Sequence, residues 1–456
     1  MRARLTSILI GIAVSALGLS CKHDKSNAEA AGAASAAAQG SAGTEIGKTV
    51  TIWWAQWAPA DGLQQLAQEY EQQTNIAIRV HQIPWSSYQD QVFLNFGNKV
   101  TSFDIVVGDS QWLGRGATGK LYLDLTDWLP TVVDVKSIQP AALRYLCEYP
   151  AGSSHYFAAP GETDAVGFAY RKDWFDDPKE QAAFKAKYKH DLAVPGTWEE
   201  FKDIAEYFTQ PASKRYGTAL LTGRGYDALA MGFQPFLWEF GGSWGDPVSY
   251  KTKGFLDTPG AVEGLTLMKS LLKFAPNDGP NMDYGKTLEA FTSGSTAMAM
   301  NYFAFYPTIV KAMGDKAGFF VMPAHNGKRF SSLGGQGMSI SAKVSPEQQK
   351  LAKDFIAWFL KRETQEKWTK KEAGFTANSE ILKSAAFKQA TPYNEPFSQS
   401  MDYLQDFWNV PAYNELLAVA EQRLGEALDG VKTPKEALEA ISTEHDRIFK
   451  EAGLSK

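Results

Sequence analysis

Cysteine is scarce in this sequence: Cys21 and Cys147 are the only two in 456 residues. That count excludes a disulfide framework and a cysteine-built metal site. Histidine is sparse as well, six residues with no H-E-x-x-H among them, so the zinc-protease motif is missing. There is no excess of positive charge. Lys and Arg total 46 against 51 Asp and Glu, a net charge of −5, which offers nucleic acid no bulk attraction. No internal repeat is visible. What the chain has instead is aromatic side chains, 13 Trp, 18 Tyr and 27 Phe. Large flat apolar rings in such number are either buried or bind something. The length suits two or three domains, enough for a stable core without disulfides.

The first residues read as a targeting signal. Arg2 and Arg4 precede an apolar stretch from Leu5 to Leu19, about 15 residues and too short to span a bilayer comfortably. It ends in "LGLSC", which resembles the end of a bacterial lipoprotein signal peptide, although Gly18 stands where leucine is favoured. The expectation is a signal peptide over 1–21 with Cys21 lipidated, leaving Cys147 without an intramolecular partner. Residues 22–48 are rich in Ala, Ser and Gly without periodicity and read as a flexible tether.

The body begins with "TVTIWW", apolar on both alternating faces, as in a strand buried within a parallel sheet. Asp61 is expected to cap a helix bearing Leu63, Leu66, Ala67 and Tyr70 on one face. "IAIRVHQI" reads as a second strand, "SSYQDQVFLNFGNKV" as a second helix and "FDIVVGD" as a third strand, so β-α-β-α-β predicts a doubly wound α/β layer. Further on, helix starts are signalled at Thr197 with Glu200, Ser345 with Gln348, and Thr433 with Glu436. Asp227 to Phe240 reads as a helix stopped by Gly241-Gly242. The extended "SHYFAAPGETDAVGFAYRKDWF" reads as a crossover between lobes.

Ligands of open α/β sheets bind beyond the carboxyl ends of the strands. By that rule Trp54, Gln56 and Trp57 are candidates past the first strand, and Asp109 and Trp112 past the third, while Trp53 is expected in the core. Indole beside amide or carboxylate suits a sugar: the ring covers the C–H face and the polar groups take the hydroxyls. The pairing recurs at Glu162 and Asp164, at Trp238 and Trp244, at Asn301, Tyr302 and Phe303, and at Trp408. Gly335 and Gln336 lie in "LGGQGMS", where backbone could approach a ligand closely.

Catalytic motifs fail on context. Gly241-Gly242-Ser243-Trp244-Gly245 matches G-x-S-x-G, but a helical pattern precedes it where a nucleophile elbow needs a strand. Gly285-Lys286-Thr287 lacks a glycine at P-loop spacing. Glu162 with Asp164 or Glu239 could form a glycosidase pair, and nothing favours that over binding.

With these residues in view, the chain resembles the extracellular solute-binding proteins, family 1, of bacterial ABC importers. The stretches that carry the likeness are "TVTIWWAQWAP", "FDIVVGDSQW", "YFAAPGETDAVGFAYRKDWF", "FLWEFGGSWGD", "FTSGSTAMAMNY" and "GGQGMSISAK". The chain departs from the family pattern at Phe375-Thr376-Ala377, where relatives carry proline before a small residue. The resemblance implies a type II-like periplasmic-binding-protein fold. Two α/β lobes, each a sheet flanked by helices, would enclose a cleft and close by a hinge. The expected bounds are 49–158 with about 300–345 for the N-terminal lobe, and 159–299 with about 346–456 for the C-terminal lobe. It implies a monomeric, lipid-anchored receptor at the cell envelope, without cofactor or metal, that passes a di- or oligosaccharide to a permease. Aromatic density favours several sugar faces. A polyol, glycerol phosphate, polyamine or metal complex is the alternative ligand class; for phosphate, Arg115 and Arg224 are the candidate partners. A glycosidase is the third reading.

Overall fold

Alternation in the first strand organises the sheet. In β1 (Lys48–Ala55) the side chains of Val50, Ile52 and Trp54 are fully buried on one face. Trp53, on the other face and expected in the core, is only partly buried; it packs its ring 4.9 Å from Phe103 and 5.4 Å from His81. The computed structural model describes residues 48–277 and 279–455. The expected signal peptide, Cys21 and the tether as far as residue 47 lie outside the described residues.

The predicted α/β layer is present. β2 (Ile76–Ile83) and β3 (Ile105–Asp109) both run parallel to β1, with helices Ala58–Thr74 and Trp85–Asn95 in the crossovers. The first helix starts earlier than Asp61 predicted. Pro59 occupies its first turn, where a missing N–H costs nothing. Proline therefore opens this helix, and Trp57 is left at its N-cap in extended conformation.

A long strand then carries the chain between lobes. β4 (Ala159–Arg171) is the expected crossover, thirteen residues long. Its first half pairs antiparallel with β8 (Ser331–Ile340), from Ala159↔Met338 to Ala165↔Leu333. Its second half pairs with β6 (Thr296–Tyr302) and β7 (Ala317–Phe320). β8 also pairs antiparallel with β3, and β5 (Tyr216–Ala219) closes the far edge on β6, giving the order β2-β1-β3-β8-β4-β6-β5.

This pairing divides the chain differently from the expected lobe bounds. β6 and β7 belong with the second half of β4, not with the first sheet. Helices Pro346–Phe359 and Arg362–Trp368 pack on the first: Trp368 lies 6.4 Å from Trp54, and Phe355 and Trp358 each lie 5.3 Å from Tyr70. The signal escaped sequence reading because β4 serves both sheets, pairing with β8 in the first and with β6 and β7 in the second.

Thr197 and Thr433 form capping boxes and Ser345 caps its helix, as their spacing predicts. The helix from Ala228 to Glu239 is buried along its whole length. Pro235 inside it cannot donate to the Met231 carbonyl one turn back; Ser332 Oγ of β8 donates to that oxygen instead, at 2.6 Å. The helix is thereby tied to β8. Cys147 is buried and free. No helix among the described residues is long and apolar enough to cross a membrane.

Candidate functional site

Where β4 passes from its pairing with β8 to its pairing with β6, the strand ends and helix starts surround a cavity of about 570 Å³. Gln56 and Trp57 reach it from the loop after β1, and Trp85 from just beyond β2. Asp109 and Gln111 reach it from the end of β3. Asp164, Tyr302 and Leu333–Gln336 supply the floor. The facing wall holds Tyr226, Asp227 and Met231 around the start of the buried helix, and Asp283 and Tyr284 at the start of helix Tyr284–Thr292.

Glycine is required in that floor. A Cβ on Gly334 would lie 2.5 Å from the Tyr302 ring, and one on Gly335 would lie 2.2 Å from the Glu162 carbonyl oxygen. Gly335 also has φ +92°, a backbone conformation that side-chain-bearing residues rarely adopt.

The polar lining is held in a chain of hydrogen bonds. Trp112 Nε1 donates to Tyr226 Oη at 2.7 Å, and Tyr226 Oη donates to Asp109 Oδ2 at 3.2 Å. Trp85 stacks on Trp112 at 6.2 Å and meets Tyr226 edge-on at 5.5 Å. Tyr226 thus joins the β3 side to the wall opposite, and it does so from φ +69°, a strained conformation for a bulky side chain. Tyr284 Oη donates to Asp227 Oδ1 at 2.7 Å, and Tyr302 Oη donates to the Leu333 carbonyl at 3.1 Å. Trp54 Nε1 donates to Gln336 Oε1, which turns the Gln336 amide group to a fixed orientation.

Burial dominates the electrostatics. It raises Asp109 to about 6 against the opposing effect of donors from Ser110, Gln111 and Tyr226. It raises Asp164 to about 8, and Asp227 to about 8 with added repulsion from Asp109. Among the described residues no Lys, Arg or His lines the cavity, and two buried polar atoms of its lining residues have no protein partner, Gln111 Oε1 and Trp57 Nε1.

Of the residues singled out from sequence, Gln56, Trp57, Asp109, Asp164, Tyr302, Gly335 and Gln336 line this cavity. The others are placed away from its surface. Trp54 and Trp112 are buried directly behind it and act on it through Gln336 and Tyr226. Asn301 donates to the Tyr284 carbonyl and to Thr287 Oγ1, which holds the Tyr284 helix. Phe303 is core, 5.5 Å from Phe397. Glu162 is fully buried beneath the floor, and neither carboxyl oxygen has a protein partner. Trp238 packs on Phe330, Trp244 donates to Gln234 and packs on Phe407, and Trp408 packs on Phe449. These last three are helix and loop packing in an aromatic-rich core. Asp109 lines the cavity and also caps the short helix that follows it, its Oδ1 accepting from the backbone N–H of Gln111.

Sequence reasoning missed Trp85, Tyr226, Asp227, Asp283, Tyr284 and Phe305 as lining residues. Trp85 could have been found, because it follows β2 as Trp57 follows β1. Tyr226 and Tyr284 carry no comparable signal: each precedes or opens a helix far along the chain.

The model of the bacterial extracellular solute-binding protein family matches residues 54–366. Over 210 residues the chain is 25% identical to YcjN of Escherichia coli K12, named as an ABC transporter periplasmic-binding protein. That match covers 44% of this chain and 45% of the relative, so the chain spans less than half of the relative's length. Among solved structures, an ABC transporter solute-binding protein of Agrobacterium radiobacter K84 in complex with ribitol superposes with a TM-score of 0.74 at 25% identity. It covers 88% of this chain and 99% of that one. Maltose-bound MalE3 of T. maritima gives 0.74 at 22% identity with the same coverage. Lmo0181 of Listeria monocytogenes with cycloalternan gives 0.72 at 20%, covering 90% of this chain and 100% of that one. At these identities the last two speak to the fold, which is the two-lobe α/β fold expected.

Proposed function

Because the chain belongs to the bacterial extracellular solute-binding proteins, we propose that it is the carbohydrate receptor of an ABC importer. It captures a di- or oligosaccharide between its lobes and delivers it to a membrane permease. The observation that carries this reading is the cavity where β4 passes from β8 to β6, in which indole and phenol faces alternate with hydroxyl acceptors. Its volume, 570 Å³, falls in the range of about 300–1,000 Å³ typical of small-molecule sites. Trp57 and Trp85 offer faces for C–H surfaces, and Asp109, Asp164, Asp227 and Gln336 offer directional partners for hydroxyls.

Closure is a rotation of the lobes about β4, which pairs with β8 in one sheet and with β6 and β7 in the other, with Tyr226 fastening the closed form to Asp109 and Trp112. The lobes we propose divide at Ala165–Val166, where β4 changes partners from β8 to β6. Beyond the cleft, the protein is exported, anchored through a lipid on Cys21 and monomeric, and it binds its ligand without turning it over.

A polyol is the second reading, favoured by the ribitol complex of the Agrobacterium relative. Glycerol phosphate fits less well: Arg224 is paired with Asp429 and Arg115 lies over Phe93, so neither lines the cavity. Isothermal titration with neutral mono-, di- and trisaccharides and polyols tests the proposal, with the ligand recovered by chromatography afterwards. Saturable binding of an intact saccharide is expected. Response only to phosphates, or recovery of cleaved sugar, would overturn it.

A further inference from the structure

The lining of the cavity combines aromatic faces with acidic groups. Asp109, Asp164, Asp227 and Asp283 line it, and among the described residues no basic side chain does. The tyrosines cannot redress this, because Tyr226, Tyr284 and Tyr302 already give their protons to Asp109, Asp227 and the Leu333 carbonyl. Gln111, a lining residue only 2% exposed, has a buried Oε1 without a protein partner among the described residues, and Trp57 Nε1 is the one buried donor of the described lining residues without one. Ionised beside a cation, all four carboxyls are acceptor-only, which suits a ligand rich in donors.

Charge points the same way. Asp109 lines the cavity from the end of β3 and Asp227 from the start of the buried helix; burial, with Asp109 adding to it, raises Asp227 to about 8, so beside a neutral molecule Asp227 keeps its proton at neutral pH. A cation between them favours the ionised form of both and takes the place of that proton. The aromatic faces of Trp85, Tyr226 and Tyr284 beside these carboxylates also favour a cation over a neutral group.

We propose that the ligand is an amino sugar, alone or as one unit of a short oligosaccharide, with its ammonium held between Asp109 and Asp227. This rests on the carbohydrate reading and narrows it: hydroxyls meet the remaining acceptors while the ammonium supplies the counter-charge the lining lacks.

The test is isothermal titration of the full-length protein against matched sets. Glucosamine, galactosamine and mannosamine, and the disaccharide of β-1,4-linked glucosamine, are compared with their neutral and N-acetylated counterparts. The amine is expected to bind about ten-fold or more tightly than both counterparts, with the advantage shrinking as salt rises. Asp227→Asn is expected to bring the amine-to-neutral ratio close to one, with Asp109→Asn as a second variant should the first fail to fold. Equal or tighter binding of the neutral sugar overturns the proposal and leaves the carbohydrate receptor standing. A ratio unmoved in the folded variants removes the ammonium from this position. Silence toward every saccharide, charged or neutral, overturns both readings.

Discussion

Truncating Trp57 to alanine separates a binding role from a packing role. The indole lines the cavity, is partly exposed, packs against the core, and makes one ring–ring contact among the described residues, edge-on with Trp54 at 5.9 Å. If it covers about 60 Å² of a sugar's apolar face, burial at about 25 cal/mol/Å² contributes about 1.5 kcal/mol. That is about 12-fold in Kd. The folding cost is smaller. The edge contact is worth about 1 kcal/mol, the residue makes no side-chain cap, and its φ of −167° suits alanine equally. Titration calorimetry should therefore show the affinity loss while circular dichroism shows a cooperative melt close to that of the parent. An unfolded variant, or one that binds within about three-fold of the parent, would refute the reasoning.

Tyr226→Phe leaves the buried Trp112 N–H without its acceptor and Asp109 Oδ2 without the Tyr226 donor, a loss of about 1–3 kcal/mol borne by the closed form; stopped-flow should show ligand release accelerated about ten-fold or more, and an unchanged rate would contradict the fastening role. Gly335→Ala sets a Cβ 2.2 Å from the Glu162 carbonyl at φ +92°, so the urea midpoint should fall by the equivalent of about 3 kcal/mol or more; an unchanged midpoint would mean the floor adapts freely. Stability should also fall as pH rises from 6.5 to 8. Asp164 and Asp227 are raised from 3.8 to about 8 and Glu239 from 4.5 to about 8, all by burial, so the folded state keeps protons the unfolded chain releases. Their contribution is complete below about pH 4 and declines up to about pH 8, by as much as about 2 kcal/mol per group over the last 1.5 pH units. His445, lowered by burial from 6.5 to about 4, acts oppositely, but its contribution is already complete above pH 6.5. Urea midpoints that stay level or rise between pH 6.5 and 8 would contradict this.

Local chemistry was legible where one segment decides it. The β1-β2-β3 layer followed from apolar runs, the boxes at Thr197 and Thr433 from spacing, and the position of Trp57 and Asp109 from the rule that ligands sit beyond strand ends. Long-range pairing was not. That β8 returns antiparallel beside β3, or that β4 changes partners at Val166, depends on residues more than a hundred apart. The same limit governs the site. Trp238, Trp244 and Trp408 share the local composition of Trp57, yet they fill space between helices because their neighbours in the fold are Phe330, Phe407 and Phe449. Tyr226 and Tyr284 sit in unremarkable turns and become lining residues only when the second lobe meets the first.

Intrinsic tryptophan fluorescence tests the central claim most directly, because Trp57 and Trp85 line the cavity itself. The purified protein is titrated with saccharides, amino sugars, polyols and glycerol phosphates. A saturable shift with one saccharide class, with the ligand recovered unchanged and the shift lost in Trp57→Ala, is the predicted result. No shift with any saccharide or polyol, or conversion of the ligand to products, would contradict it.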